Sequence, residues 1–466
     1  MTCQNGLNLL KTVASRTWGS DSSMLMLIYR SLIRSKLDYG AIVYNSAKKS
    51  ILKQLDTIHN NAIRIILGAF CTSPTESLYC EASEPSLANR RKLMTLTYAA
   101  SIISNPDNPV HHNVIAQRFK NIFAKKIRAD PPFYQRYNQY LSSLQLKQPS
   151  IFSTSNTPNT PPWIFPRANI EYGLLQFEKK NTNHRMFNVA FNHLLEQYED
   201  FFPVYTDASK MEDGVAFTSS DFSCSFKLSK ENTILTGELY AIWRALKYME
   251  EKNIPKFLIV TDSLNALETI TQLYTNHPIL LRIKQSLHLL HQKHICIWFM
   301  WVPSHMGIVG NERADKLAKE AVTNPLTDTV LLAVHTDLKS LYKQTIINSW
   351  QSQWNSSSAK LHEMKQSVSP WKNNPNERKA QVILSRLRLG HTRLTHGYLL
   401  SEENPPVCEV CDSPQSVKHI LTECVLYHNE RQTYGFPPSI KDILGDECDI
   451  NNLLAFLRNT NLLHTL

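Results

Sequence analysis

The 466-residue sequence contains no apolar run approaching the ~18–20 residues that a membrane-spanning helix needs, so no membrane partner is expected. Its first residues, MTCQNGLNLLKTVASR, lack the basic start and apolar core of a secretory signal. The expectation is a protein that is not secreted and works in the nucleus or cytoplasm. Nine cysteines, an odd number thinly spread, do not make a disulfide scaffold, and a reducing compartment fits them better. Neither low hydrophobicity nor extreme charge is present. At 42% hydrophobic and 19% charged residues, the chain is excluded from the globally disordered and collagen-like classes. No internal repeat is visible, and the length allows two to four domains at roughly 100–200 residues each.

What the chain does have is a net charge of +10, all of it in one place. Residues 1–200 hold 23 Lys and Arg against 13 Asp and Glu, whereas 201–323 hold 13 of each and 324–466 hold 14 of each. A basic excess suits a polyanionic partner, because each neutralised phosphate releases counterions; a solvated basic face accounts for it equally well.

Hydrophobic spacing predicts helices over 21–100, with Leu25, Ile28, Leu32 and Ile33 on one face and Leu52, Leu55, Ile58, Ala62, Ile65 and Ile66 on another, broken at Asp38-Tyr39-Gly40. QRFKNIFAKKIR at 117–128 reads as a basic amphipathic helix, and about 129–170, rich in Pro, Ser, Thr, Asn and Gln, reads as a linker. From 201 to 323 the pattern changes. FPVYTDAS, GVAFTSS and SCSFKLS read as three strands at hairpin spacing. A helix, the strand FLIVTDS, two helices, the strand HICIWFMWVPSH and a final helix, NERADKLAKEAV, follow. Such an order implies a mixed α/β sheet with helices on its faces. Residues 330–466 read as mainly helical, interrupted by Cys and His at 408–424.

Four acids stand at the ends of these elements. Asp207 and Asp262 each close a strand, where functional groups of open α/β sheets collect. Glu238 reads as lying in the first turn of a helix and Asp315 in the first or second turn of another, where the helix dipole alone would justify a carboxylate. If the four converge, their repulsion must be offset. Mg²⁺ does this with hard oxygen ligands, and two ions about 4 Å apart can activate water and stabilise a leaving oxygen in phosphodiester hydrolysis.

YTDAS at 205–209, TGELYAI at 236–242, VTDSLNAL at 260–267 and WVPSHMGIVGNERAD at 301–315 resemble, in order, the four signature blocks of type 1 ribonuclease H. More narrowly they resemble the version attached to jockey-like non-LTR retrotransposon polymerases of insects and other invertebrates. The resemblance implies a ribonuclease H-like five-stranded mixed sheet with flanking helices, and a site of Asp207, Glu238, Asp262 and Asp315 holding two Mg²⁺ (or Mn²⁺) ions. His305 matches the flexible-loop histidine of the family, in a stretch where Gly307 and Gly310 permit a mobile loop. Ser209, Thr236 and Asn265 match positions that contact substrate backbone in relatives, although each also suits a cap or turn. Asn311 is expected to cap the helix of Asp315. The chain has room for only one helix between the Asp262 helix and His305, without the further basic helix of the bacterial-type enzyme.

Residues 25–70 and 73–92 resemble the thumb-like segment after the polymerase palm of the same elements, but no Asp-Asp pair occurs anywhere, so polymerisation is not expected. Cys408, Cys411, His419 and Cys424 have zinc-ligand types and spacing. RLRLGHTRLTHGYLL at 386–400 offers Arg386, Arg388, His391, Arg393 and His396 to nucleic acid. The expected organisation is therefore a helical, thumb-like region at 1–100, a basic segment and linker at 101–198, the ribonuclease H domain at 199–325, and a mainly helical C-terminal region at 326–466 with its Cys/His cluster. The expected function is hydrolysis of the RNA strand of RNA–DNA hybrids. An inactive, retroelement-derived nucleic-acid-binding protein and an integrase-like recombinase are the rivals, and oligomeric state cannot be read.

Overall fold

The computed structural model describes residues 2–112, 131–154, 160–209, 213–252 and 254–465; the basic helix expected at 117–128 lies outside them. The chain divides into two units. One takes in Leu96–Arg118 and Gln145–Tyr342, the other Met1–Thr95, Phe119–Leu144 and Lys343–Leu466. No helix among the described residues is long and apolar enough to cross a membrane.

The first unit is built on a mixed sheet of seven strands: β1 Asn169–Glu171, β2 Phe202–Ala208, β3 Gly214–Thr218, β4 Ser223–Leu228, β5 Lys256–Thr261, β6 Cys296–Trp301 and β7 Asp328–Val330. Their spatial order is β1-β6-β5-β2-β3-β4-β7. Only the β2–β3 and β3–β4 pairs are antiparallel. Helices α1 His184–Glu196, α2 Ile234–Glu250, α3 Leu264–Thr271, α4 Pro278–Gln292 and α5 Val309–Glu320 cover the sheet. Strand β5 shows why its sequence is uniformly apolar. Phe257 and Ile259 pack with Leu239, Ile242 and Leu246 of α2 and Ile283 of α4, while Leu258 and Val260 pack with Phe191 of α1 and Ile308. Both faces are covered, so the strand cannot alternate apolar with polar.

Two glycines let α5 lie directly on the sheet. A Cβ at Gly310 would sit 2.3 Å from the Tyr205 ring, and one at Gly214 would sit 1.9 Å from the Ala318 carbonyl oxygen. These close approaches fix where Asp315, on α5, can reach.

The five expected strands are β2–β6. The sheet is wider than that expectation because β1 and β7 add an edge strand on each side, and β1 pairs within a stretch adjoining the expected linker. At three residues each they are too short to show a period of two, and their pairing is supplied by β6 and β4. The expected linker also contains a helix, Phe133–Ser143, with Arg136, Tyr137 and Leu141 buried beneath polar neighbours.

The second unit is helical. Leu10, Leu25, Ile33, Ile63 and Leu78 share one core with Trp354, Leu361, Ile383, Leu444 and Phe456, so the helical regions that the sequence reading separates pack together. The helix Arg378–Leu389 makes the connection polar as well as apolar. Arg378 donates to the carbonyls of Ile65 and Ile66, and Arg386 donates to that of Gly68 at 2.7 Å. These guanidinium groups satisfy the C-terminal end of the helix Lys49–Leu67, where carbonyls lack partners and cations are favoured. Arg388, fully buried, donates to Leu444 and Gly445, lies 3.7 Å from Glu81 and stacks 3.7 Å over Trp371. His391 and His396 stack on one another, with His391 Nδ1 3.0 Å from Thr72 Oγ1. Arg386 and Arg388 are thus structural and unavailable to nucleic acid; of the arginines offered from that segment, only Arg393 is exposed.

Candidate functional site

Register brings the first two acids together. Thr206 of β2 pairs with Thr261 of parallel β5, so Asp207 and Asp262 are level at the same end of neighbouring strands. Trp301 Nε1 donates to the Asp262 carbonyl at 3.2 Å and holds that strand end in place. Glu238 lies in the second turn of α2, not the first, and α2 starts tight against β2: a Cβ at Gly237 would sit 3.0 Å from that of Ala208. One oxygen each from Asp207, Glu238 and Asp262 falls within 4.8 Å of the others. Asp315 is near enough to raise the Asp207 carboxyl, but its own carboxyl groups with His305 and Glu312 beside the three-acid cluster.

The electrostatic consequence is strong. Burial, then the charges of Asp262 and Asp315, push the Asp207 carboxyl up to about 8. Burial, then Asp207 and Asp262, hold Glu238 well above the usual carboxylate range. Asp262 is raised mainly by burial, against the opposing effects of Asn311 and His305. Glu238 Oε2 is buried with no hydrogen-bond partner. Clustered carboxylates with an unpartnered buried oxygen are a donor set suited to a hard divalent cation, which offsets their repulsion and supplies the missing partner.

Around this core the loop of His305 forms a tethered rim. His305 is exposed, has left-handed backbone (φ 54°), and places Nδ1 3.8 Å from Asp315 and 4.0 Å from Glu312. Glu312 Oε1 accepts from the Gly307 N–H at 3.1 Å. Asn188 of α1 donates to the Met306 carbonyl at 3.1 Å, and Lys179 Nζ donates to Ser304 Oγ at 2.9 Å. Lys319 Nζ meets Asp315 Oδ2 at 2.6 Å.

Asn311 is not the expected cap. It lies inside α5, and its Nδ2 donates to Asp262 Oδ2 at 3.4 Å. Thr236 also departs from expectation. Its buried hydroxyl donates to Asp337 Oδ2 at 2.6 Å, so it does not face substrate. Ser209 is half-buried at the end of β2 with its N–H bonded to Gly214, and Asn265 is exposed on α3. Sequence reasoning missed Glu312, Lys319, Lys179 and Asn188. The four-residue interval between Asp315 and Lys319 is a readable helical ion-pair signal. Lys179 and Asn188, over 100 residues from the loop they hold, leave no such signal.

In the second unit, Cys408, Cys411, His419 and Cys424 bring one potential ligand atom each within 4.8 Å of the others. Cys424 Sγ lies 3.7 Å from Cys408 Sγ and 3.8 Å from Cys411 Sγ, so these are free thiols, not disulfides. The neighbouring His419, then the backbone N–H groups of Cys411 and Val410, lower the Cys408 thiol to about 6. The other face of the ring is held by Ser413 at Nδ1, while Nε2 is buried without a partner.

No curated protein matches this chain. Residues 199–323 match the family model for RNase H, a span that contains all four acids and the His305 loop. Fold, strand order and family match agree on one conclusion: residues 199–323 are similar to RNase H in sequence and in architecture.

Proposed function

We propose that this chain is an endoribonuclease that cleaves the RNA strand of RNA–DNA hybrids by two-metal catalysis. The observation that carries the reading is the convergence of Asp207, Glu238 and Asp262, with Asp315 close enough to raise Asp207, inside the span that matches RNase H. These four carboxyls are assigned to two Mg²⁺ or Mn²⁺ ions, which when bound supply an activated water and stabilise the leaving 3′-oxygen. The residues themselves do the rest. Asn311 orients Asp262, and Lys319 holds Asp315. His305, at the rim, is assigned to move a proton through its imidazole, the task for which that side chain is most often used. Ser209 and Asn265 are assigned to substrate backbone; the Thr236 hydroxyl, buried against Asp337, is not.

Recognition of the 2′-hydroxyl is what separates RNA from DNA at such a site. The test is cleavage of a hybrid beside an all-DNA duplex of the same sequence, with Mg²⁺. Cleavage confined to the RNA strand of the hybrid is expected; comparable rates on both substrates would refute the reading.

We further assign Zn²⁺ to Cys408, Cys411, His419 and Cys424. Zn–S bonds of ~2.3 Å at tetrahedral angles require sulfurs about 3.8 Å apart, as the 3.7 and 3.8 Å separations here are. The unpartnered Nε2 of His419 supplies the fourth ligand. Three thiolates and an imidazole close the coordination shell, so the role is structural. The likeness of residues 25–92 to a post-palm segment, and a Cys/His cluster following the nuclease, support descent from a retroelement protein.

A further inference from the structure

The chain beyond the family match is sewn onto the nuclease sheet. β7 pairs with β4, and Ala333 exchanges backbone bonds with Ser150 (2.8 Å) and Phe152 (2.9 Å). The Asn232 side chain bridges the Leu332 carbonyl and the Val334 N–H, at 2.9 Å each. This strap delivers Asp337, 7% exposed, to the N-terminus of α2. One oxygen, Oδ2, accepts from the Thr233 N–H (2.8 Å), from Thr233 Oγ1 (3.1 Å) and from Thr236 Oγ1 (2.6 Å). His277 Nε2 stands 3.0 Å from the same Thr236 hydroxyl and completes the polar cluster.

The helix has a local cap in Thr233, but its bond from the Thr236 N–H is long, at 3.4 Å. A buried carboxylate with three donors is the stronger restraint, because charge-assisted bonds are roughly twice as strong as neutral ones and a negative group complements the helix N-terminus. Thr236 is two residues before Glu238. Whatever fixes the first turn of α2 therefore fixes the axial position of the Glu238 carboxyl against Asp207 and Asp262.

We propose that Asp337, which lies outside residues 199–323, is a positioning residue for Glu238 and so sets the divalent-cation affinity of the carboxylate site. The proposal rests on the reading that Glu238 holds a divalent ion. A purely structural role would lower stability and leave metal binding unchanged once the protein is folded.

The experiment uses the full chain as parent, Asp337→Ala, Asp337→Asn, Glu238→Gln and the Asp337→Ala/Glu238→Gln double variant. Mn²⁺ binding is measured by calorimetry below the melting temperature of each, and kcat and KM on a hybrid are measured beside it. A misplacement of about 1 Å can cost ~10²-fold in rate. Asp337→Ala is expected to weaken Mn²⁺ binding about tenfold and lower kcat about ten- to a hundredfold, with KM within about twofold. Asp337→Asn, which keeps an accepting oxygen, is expected to fall between it and the parent. On the Glu238→Gln background, Asp337→Ala should add no further loss of Mn²⁺ affinity, because residues acting through one contact are not additive. Parent-like Mn²⁺ binding and kcat in Asp337→Ala would overturn the proposal, as would a loss fully additive with Glu238→Gln. Should Asp337→Ala not fold, by circular dichroism, Asp337→Asn decides on the same two criteria. A parent that neither binds Mn²⁺ nor cleaves hybrid overturns the nuclease reading itself, and this proposal with it; a competent parent with an unaffected Asp337 variant overturns this proposal alone.

Discussion

Removing one of the clustered acids should make the metal-free protein more stable. The Asp207 carboxyl stands at about 8 in the folded chain against 3.8 for an unperturbed aspartate. The folded state therefore keeps a proton that the unfolded chain releases, and stability falls as pH rises from about 4 to about 8. At pH 7 the interval above 3.8 is about three pH units, and at ~1.36 kcal/mol per unit this single group costs up to about 4 kcal/mol. Asp207→Asn keeps the size of the side chain and removes its charge, which also relieves Glu238, raised in part by Asp207. A net gain of about 1–3 kcal/mol corresponds to about 3–10 °C for a unit of this size. The assay is thermal unfolding of parent and variant across pH 4–8, in protein dialysed free of Mg²⁺ with the Cys/His cluster left loaded. The two melting temperatures should coincide near pH 4 and separate progressively toward pH 8, the variant melting higher. Added Mg²⁺ should raise the parent most at high pH and the variant little. A variant no more stable than the parent at pH 7–8, or a parent that gains stability over that window, would contradict the assigned electrostatics.

His305→Ala should slow hybrid cleavage by ~10²–10⁴-fold, the usual scale of lost acid–base assistance, while leaving Mn²⁺ binding at the parent value; loss of Mn²⁺ binding would make His305 a ligand instead. Cys408→Ser should lower zinc content below one per chain by elemental analysis and destabilise the helical unit, with hybrid cleavage retained; stoichiometric zinc in the variant would leave the cluster as ordinary thiols. Arg388→Ala should cost about 3–5 kcal/mol in urea unfolding, because it leaves buried Glu81 with only the neutral donors Trp371 and Ser385 and uncovers the Trp371 ring, and should leave hybrid affinity within about twofold. A large loss of hybrid affinity in a folded Arg388→Ala protein would restore the nucleic-acid role that burial argues against.

The sheet and its acids were legible because local patterns carried them. Asp207 and Asp262 end apolar strands, and the parallel pairing of β2 with β5 makes them neighbours. What remained hidden was non-local. β1 and β7 have no periodicity of their own, and Asp337 reads as an ordinary first-turn acid of the helix His335–Asn355 until the fold places it against Thr233 and Thr236. Arg386 and Arg388 misled for a related reason. Basic residues spaced along a helix look like a nucleic-acid face, and only packing shows that they satisfy the carbonyls of Gly68, Leu444 and Gly445 instead. The Cys/His cluster was readable from ligand type and spacing, whereas the orphaned Nε2 of His419 that supports a bound ion was not.

The central claim is tested most directly by following an end-labelled RNA strand in an RNA–DNA hybrid, with Mg²⁺, for the parent and for Asp262→Asn. Internal cleavage of the RNA by the parent, lost on chelation and reduced at least ~10³-fold in a folded Asp262→Asn protein, is the predicted result. RNA left intact by the parent, or cut equally by the variant, would contradict it.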